Sequence, residues 1–272
     1  VVKVRFGTTL PQFRAEADHA IDAAQRAESL GLDGVFVFDH LWPIGNPDGS
    51  VLHSHGLLGA LGEETRRIQL GTLVARVDLL PDAVLVNTLA SHAHVAGPER
   101  MIAGVGAGDH LSRPENDAFG VVYGSKAVRV AAVGNVCRSL RERGVTTWAG
   151  GRSPEIRQVA AETADALNIW GASPGEVLHE IEDVRERVGR RDYDVTWGGQ
   201  VLIGRTDADV EAKVRRYGLR HHLVHGTVTA VARHFEALAE VGITYAVCSP
   251  LDVHDDPSAY ETLAEVREAL VT

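Results

Sequence analysis

Eight short apolar runs, each followed by a helical pattern, constrain this chain more than any other feature of its sequence. They are residues 3–9 (KVRFGTT), 34–38 (GVFVF), 68–74 (IQLGTLV), 101–105 (MIAGV), 146–149 (TTWA), 166–171 (ALNIWG), 194–203 (DVTWGGQVLI) and 243–249 (ITYAVCS). The run Val35, Phe36, Val37, Phe38 has no polar alternation, which is the mark of a strand buried on both faces, as in a parallel sheet. The spacings between runs hold helical patterns at 15–30, 57–64, 81–94, 125–143, 154–163, 174–188, 210–217, 228–241 and 257–270. Gly31 closes the first of these and Ser153 with Pro154 opens the fifth, which are ordinary stop and start signals. Strand and helix alternating eight times predicts an α/β protein, a (β/α)8 TIM barrel with short insertions, in one domain over residues 1–272. The rival, an open doubly wound sheet, wants a Gly-rich phosphate turn after the first strand, and FGTTLPQ does not supply one.

A chain of 272 residues with 44% apolar side chains can bury a sizeable core. Its net charge of −10 argues against nucleic acid or an anionic membrane surface as partner, because both need a basic footprint. No run approaches the roughly 18 apolar residues of a membrane span, and there is no secretory pattern, so the expected location is the cytoplasm. The two cysteines, Cys137 and Cys248, form no ligand-like cluster, and Cys248 sits in an apolar run where a buried thiol is expected.

Barrel enzymes keep their reacting groups at the C-terminal ends of strands. The second strand ends abruptly in Asp39, His40 and Trp42, which therefore stand where such groups belong. The plainer reading has Asp39 capping the next turn and His40 packing on it. Gly104, Gly106 and Gly108 leave the fourth strand, where missing Cβ atoms let a flat ring or a phosphate approach the backbone; a tight bend explains the same pattern. Asp109 follows on the same rim as His40, and a carboxylate with an imidazole can divide acid and base duties. Gly150, Gly151, Arg152 and Ser153 join the fifth strand to a helix N-terminus, a place that favours an anion, or else a plain cap. The histidine groups 53/55, 92/94 and 221/222/225 do not complete a three-ligand metal set at strand ends, so no metal is expected and solvated or interface histidines are. On this reading 53 and 55 lie mid-loop.

Four stretches, AAQRAESLGLDGVFVFDHLWP, TRRIQLGTLV, GVGAGDHLSRPENDAFG and WAGGRSPEIRQVAAETADALNIWG, together resemble the successive motifs of the bacterial luciferase-like superfamily. The likeness is greatest to its flavin- and coenzyme F420-dependent oxidoreductases and runs from Phe6 to about Pro250. It implies a barrel, commonly a homodimer, with the acid and histidine after strand two, here Asp39 and His40, beside the reactive carbon of the cofactor ring. It implies a non-prolyl cis peptide behind that ring, at Leu73-Val74. Gly106, Ala107 and Gly108 would line the ring's polar edge, with Asp109 next to them, and Gly150, Gly151, Arg152 and Ser153 would hold the cofactor phosphate. The activity implied is hydride transfer between coenzyme F420 and a small organic substrate. His40 would be general acid or base, Asp109 would act at the ring's N1 edge and Trp42 would be a lid. The alternatives are an FMN-dependent monooxygenase using oxygen and, more distantly, a non-catalytic cofactor-binding protein.

Overall fold

The computed structural model describes residues 4–190 and 192–270. The start of the first predicted strand, at Lys3, lies outside these residues. Strand β1 (Arg5–Thr9) is followed by α1 (Asp18–Ser29), β2 (Gly34–Val37), α2 (Ser54–Glu64), β3 (Gln69–Thr72), β4 (Ala75–Arg76) and α3 (Asp82–Ala96). Next come β5 (Met101–Gly106), α4 (Ser112–Ala118), α5 (Lys126–Glu142), β6 (Thr146–Gly150), α6 (Pro154–Thr163), β7 (Ala166–Trp170) and α7 (Pro174–Val188). The chain then forms β8 (Asp194–Gly204), α8 (Asp207–Tyr217), β9 (Val224–Thr227), α9 (Val228–Glu240), β10 (Tyr245–Pro250) and α10 (Ala259–Ala269).

All strand pairings are parallel, and β10 pairs with both β1 and β8, which closes the sheet into the (β/α)8 barrel. The predicted third strand is two pieces, β3 against β2 and β5, then β4 against β5 after a break at residues 73 and 74. Two elements differ from the sequence reading. The polar stretch after the fourth strand contains α4, and β9 pairs with the far half of β8 at Val201–Gly204. The histidines at 221 and 222 lie in a turn and His225 in β9. His53 is the N-cap of α2 and His55 is inside that helix rather than mid-loop, with its ring stacked 5.4 Å from that of His92 on α3.

The barrel interior is packed with Phe36, Leu73, Ile102, Trp148, Ala166, Tyr245 and Val247. Phe36 stacks on Trp148 at 5.3 Å, and Tyr245 meets Trp148 edge-on at 5.1 Å. Glycine makes room for these rings, since a Cβ on Gly71 would stand 2.5 Å from Phe36 and one on Gly7 2.8 Å from it. A second, larger core fills the space between strands and helices, and both cysteines are free and buried. Burial drives the Cys137 thiol up to about 12, so it is an apolar packing group rather than a nucleophile.

Candidate functional site

A hollow of about 760 Å³ opens at the C-terminal ends of the strands. Strand ends β2, β3/β4, β5, β6, β7, β8 and β10 all contribute, so the arrangement follows from the barrel itself. Asp39, His40, Leu73, Val74, Gly106, Ala107, Gly108, Asp109, Gly150, Gly151, Arg152 and Ser153 all line it. Trp42 does not: its ring packs on Phe119 at 6.0 Å, outside the lining. Expected as a lid, it is replaced on the wall by Trp170, which meets Phe38 edge-on at 5.9 Å, while Phe13 stacks on Phe38 at 5.9 Å.

The back wall is built by Val74. The Leu73-Val74 peptide is cis, and the Val74 side chain rests on the strand glycines beside it. A Cβ on Gly150 would stand 2.7 Å from Val74 Cγ1, and one on Gly106 would overlap Cγ2 outright. Normal carbon–carbon contact is about 3.5–4.0 Å, so glycine at both positions is a packing requirement of the wall. Gly108, at φ 68°, does need the left-handed region, where the chain turns into α4.

His40 is held by a residue that the sequence did not single out. Its Nδ1 lies 2.6 Å from Glu115 Oε1, while Glu115 Oε2 accepts from Leu41 N at 2.9 Å and from Arg76 Nη2 at 2.7 Å. The Glu115 side chain is 2% exposed and that of His40 17%. Burial works to raise the Glu115 carboxyl, but the bonds from His40 and Leu41, then the charges of His40 and Arg76, outweigh it and hold the group below its ordinary range. Arg76 also donates from Nε to Asp39 O at 2.8 Å and from Nη1 to Ser112 O at 3.4 Å.

The other expected residues are engaged in ways that define what they can do. Asp39 accepts from Ser54 Oγ at 2.6 Å and from Arg76 N at 2.9 Å, which ties the end of β2 to α2 and β4. Asp109 Oδ1 braces the turn that leads into α4, accepting from Leu111 N at 2.9 Å and from Ser112 N and Oγ, both at 3.2 Å. Ser153 caps α6 through Ile156 N at 3.4 Å. The Arg152 guanidinium turns to Glu180 at 2.7 Å, with Glu176 at 3.6 Å, so its charge is already shared. Lys126 pairs with Glu155 at 2.9 Å, and Arg129 donates to Ala107 O at 2.6 Å. Among the described residues there is no group of three or more His, Cys, Asp or Glu side chains placed to hold a metal, and no helix long and apolar enough to cross a membrane.

Comparison with known proteins places this architecture. The F420-dependent glucose-6-phosphate dehydrogenase of Intrasporangium calvum is 32% identical over 122 residues, 44% of this chain and 35% of that protein. The enzyme of the same description from Nakamurella multipartita is 33% identical over 110 residues, 40% of this chain and 32% of its own. The chain thus matches about a third of the length of these relatives. An F420-dependent secondary alcohol dehydrogenase, solved in complex with an F420-acetone adduct, superposes with TM-score 0.79 at 17% identity, over 98% of this chain and 99% of that one. The EDTA monooxygenase of Chelativorans sp. BNC1 superposes with TM-score 0.79 at 12% identity, over 99% and 94%. Both likenesses carry the fold. The family model for luciferase-like monooxygenase matches residues 3–150 and 133–271, so the barrel runs through the match from its first strand to its last helix, and the chain belongs to the luciferase-like monooxygenase family.

Proposed function

We propose that this chain is an oxidoreductase that transfers a hydride between coenzyme F420 and a small organic substrate, either an alcohol/carbonyl pair or an activated double bond. The observation that carries the reading is that His40, pinned by buried Glu115, faces the same hollow as the Val74 wall and the turns at 106–108 and 150–151. The family's curated relatives named above are F420-dependent dehydrogenases, which supports the deazaflavin over other ring cofactors.

The hollow fits such a group in size and lining: about 760 Å³, with an apolar back wall and a helix N-terminus at one side. When bound, the deazaflavin supplies a ring carbon that accepts or returns a hydride. Leu73 and Val74 would support the back of the ring. Gly106, Ala107 and Gly108 would lie along its polar edge with Asp109, whose Oδ2 takes no part in the bonds that brace the turn before α4. Gly150, Gly151, Arg152 and Ser153, at the positive end of α6, would take its phosphate. Asp39 fixes the strand end that presents His40. In the oxidising direction His40 takes the hydroxyl proton as the hydride leaves the adjoining carbon; in the reducing direction it returns that proton to the carbonyl oxygen.

Titrating the purified protein with oxidised coenzyme F420 and with FMN, then following deazaflavin bleaching with a panel of alcohols, tests this. Binding of F420 with substrate-dependent bleaching is expected. Tight FMN binding with oxygen-dependent product formation would replace the reading with the flavin monooxygenase, and cofactor binding without any turnover would replace it with a binding protein. The same reading has the chain act in the cytoplasm as a homodimer. The outward side of α3 supports the dimer, since Val84 and Val95 there are 48% and 50% exposed on a helix that is apolar on its inner face too.

A further inference from the structure

We infer that Glu115 is a positioning residue: by accepting from His40 Nδ1 it fixes which imidazole nitrogen carries the permanent proton and turns Nε2 into the proton-exchanging atom of the hollow. This inference rests on the assignment of His40 as acid and base under Proposed function.

Three donors surround one carboxylate. Glu115 Oε2 faces two N–H groups, Leu41 N at 2.9 Å and Arg76 Nη2 at 2.7 Å. Among the described residues its Oε1 faces His40 Nδ1 alone, at 2.6 Å. An ionised carboxylate has no hydrogen to donate, and the buried Arg76 guanidinium and the Leu41 N–H, both donating to Oε2, favour the ionised form of Glu115 without any help from His40. The short contact with Nδ1 is therefore a bond in which the ring donates, and Nδ1 holds a proton whether His40 is neutral or charged. Nε2 has no hydrogen-bond partner among the described residues, and His40 lines the hollow. Nε2 is thus the nitrogen that gains and loses the exchangeable proton. Neutral His40 offers a lone pair there, and charged His40 an N–H.

Arg76 makes the arrangement directional. In Glu115→Gln, the side-chain amide must put its oxygen towards one side and its NH₂ towards the other. The Leu41 and Arg76 side presents two donors, so the oxygen goes there and the NH₂ meets His40 Nδ1. Two N–H groups cannot share one bond, so the neutral ring must give up its Nδ1 proton and carry it on Nε2 instead. The base in the hollow is then lost although the ring stays in place. A wrongly tautomerised imidazole forfeits the general-base contribution, which is typically about 10²-fold or more.

The test is the imidazole nitrogen signals of nitrogen-15-histidine protein, with His40→Gln identifying the His40 pair. The wild-type chain should show a protonated Nδ1 and a bare Nε2 above the ring's titration, and Glu115→Gln should show the reverse. With cofactor and substrate supplied, Glu115→Gln should lower kcat about 10²-fold in the alcohol-oxidising direction with KM changed less than about threefold, measured well below its own melting temperature, which falls because Arg76 loses its buried carboxylate. A wild-type His40 that carries its neutral proton on Nε2 overturns the inference even if the variant fails to fold, and so does a Glu115→Gln chain with the wild-type tautomer and full turnover. Failure to bind F420 or to bleach it with any substrate would instead sink the proposed activity, while the tautomer spectrum, which needs neither, would still decide the role of Glu115.

Discussion

Substitution at the glycines beneath Val74 gives the most direct reading of how the hollow is built. Gly150→Ala places a methyl 2.7 Å from Val74 Cγ1, whereas contact normally lies at about 3.5–4.0 Å, so one group must retreat by about 1 Å. Strand β6 is held on both sides by parallel neighbours, which leaves Val74, a side chain lining the hollow, as the group that moves. Overpacking of this kind costs about 1–3 kcal/mol, equivalent in a chain of this length to a drop of roughly 2–12 °C in melting temperature. A wall displaced by about 1 Å should also weaken F420 binding about tenfold or more. Val74→Ala alone removes two methyls, and in the double variant the new Cβ on residue 150 meets space rather than carbon. The double variant should therefore be about 1 kcal/mol or more better than the sum of the singles, both in melting and in cofactor affinity. Additive effects, or a Gly150→Ala chain with unchanged melting temperature, would refute the claim that these glycines exist to seat Val74. Gly106→Ala should follow the same pattern.

Four other outcomes are expected. His40→Ala should leave F420 binding near normal while turnover falls by about 10²-fold or more, measured by steady-state bleaching. Glu115, held below its ordinary range in the folded chain, contributes stability that is complete above its unfolded value of about 4.3 and is lost as pH falls further; the wild-type chain should thus lose more stability than Glu115→Gln between about pH 5 and 3 in denaturant melts. His92 is pushed down to about 4, first by burial and then by the neighbouring His55, so the unfolded chain takes up its proton first, and stability complete above about 6.5 should decline towards pH 4; His92→Leu should flatten that decline. Val84→Glu together with Val95→Glu should convert a dimer to a monomer on a sizing column if α3 is the contact face.

The barrel was legible because it is written in buried runs at regular spacing, and seven of its eight strands needed only β-branched and apolar content to be found. The third was read as one strand because IQLGTLV carries no sign of the break at 73 and 74; only the family likeness pointed to a special peptide there. Helix α4 was missed because SRPENDA has no apolar period, its entry being braced by the Asp109 carboxylate in the preceding turn rather than marked by an amphipathic face. Strand β9, VHGT, is four residues long with a glycine in it, and only its pairing to β8 makes it a strand. Glu115 was illegible for a physical reason: glutamate is read as solvated unless its partners are known, and those partners come from residues 40, 41 and 76. Trp42 stood in the expected sequence position, yet side-chain direction after a strand end is set by the next turn, and that turn sends it to Phe119.

Strand β8 serves two masters along its eleven residues. One flank is committed to β10 from Thr196 to Val201, which completes the ring, while the opposite flank changes partner from β7 to β9 near its midpoint. The stretch from Arg205 to Leu223, which carries Arg220 to the rim of the hollow, is consequently stitched back onto the sheet at both ends without being needed for ring closure. Such a segment can be lengthened, shortened or rewritten by evolution with little risk to the scaffold, and substrate preference in relatives of this chain should vary there first.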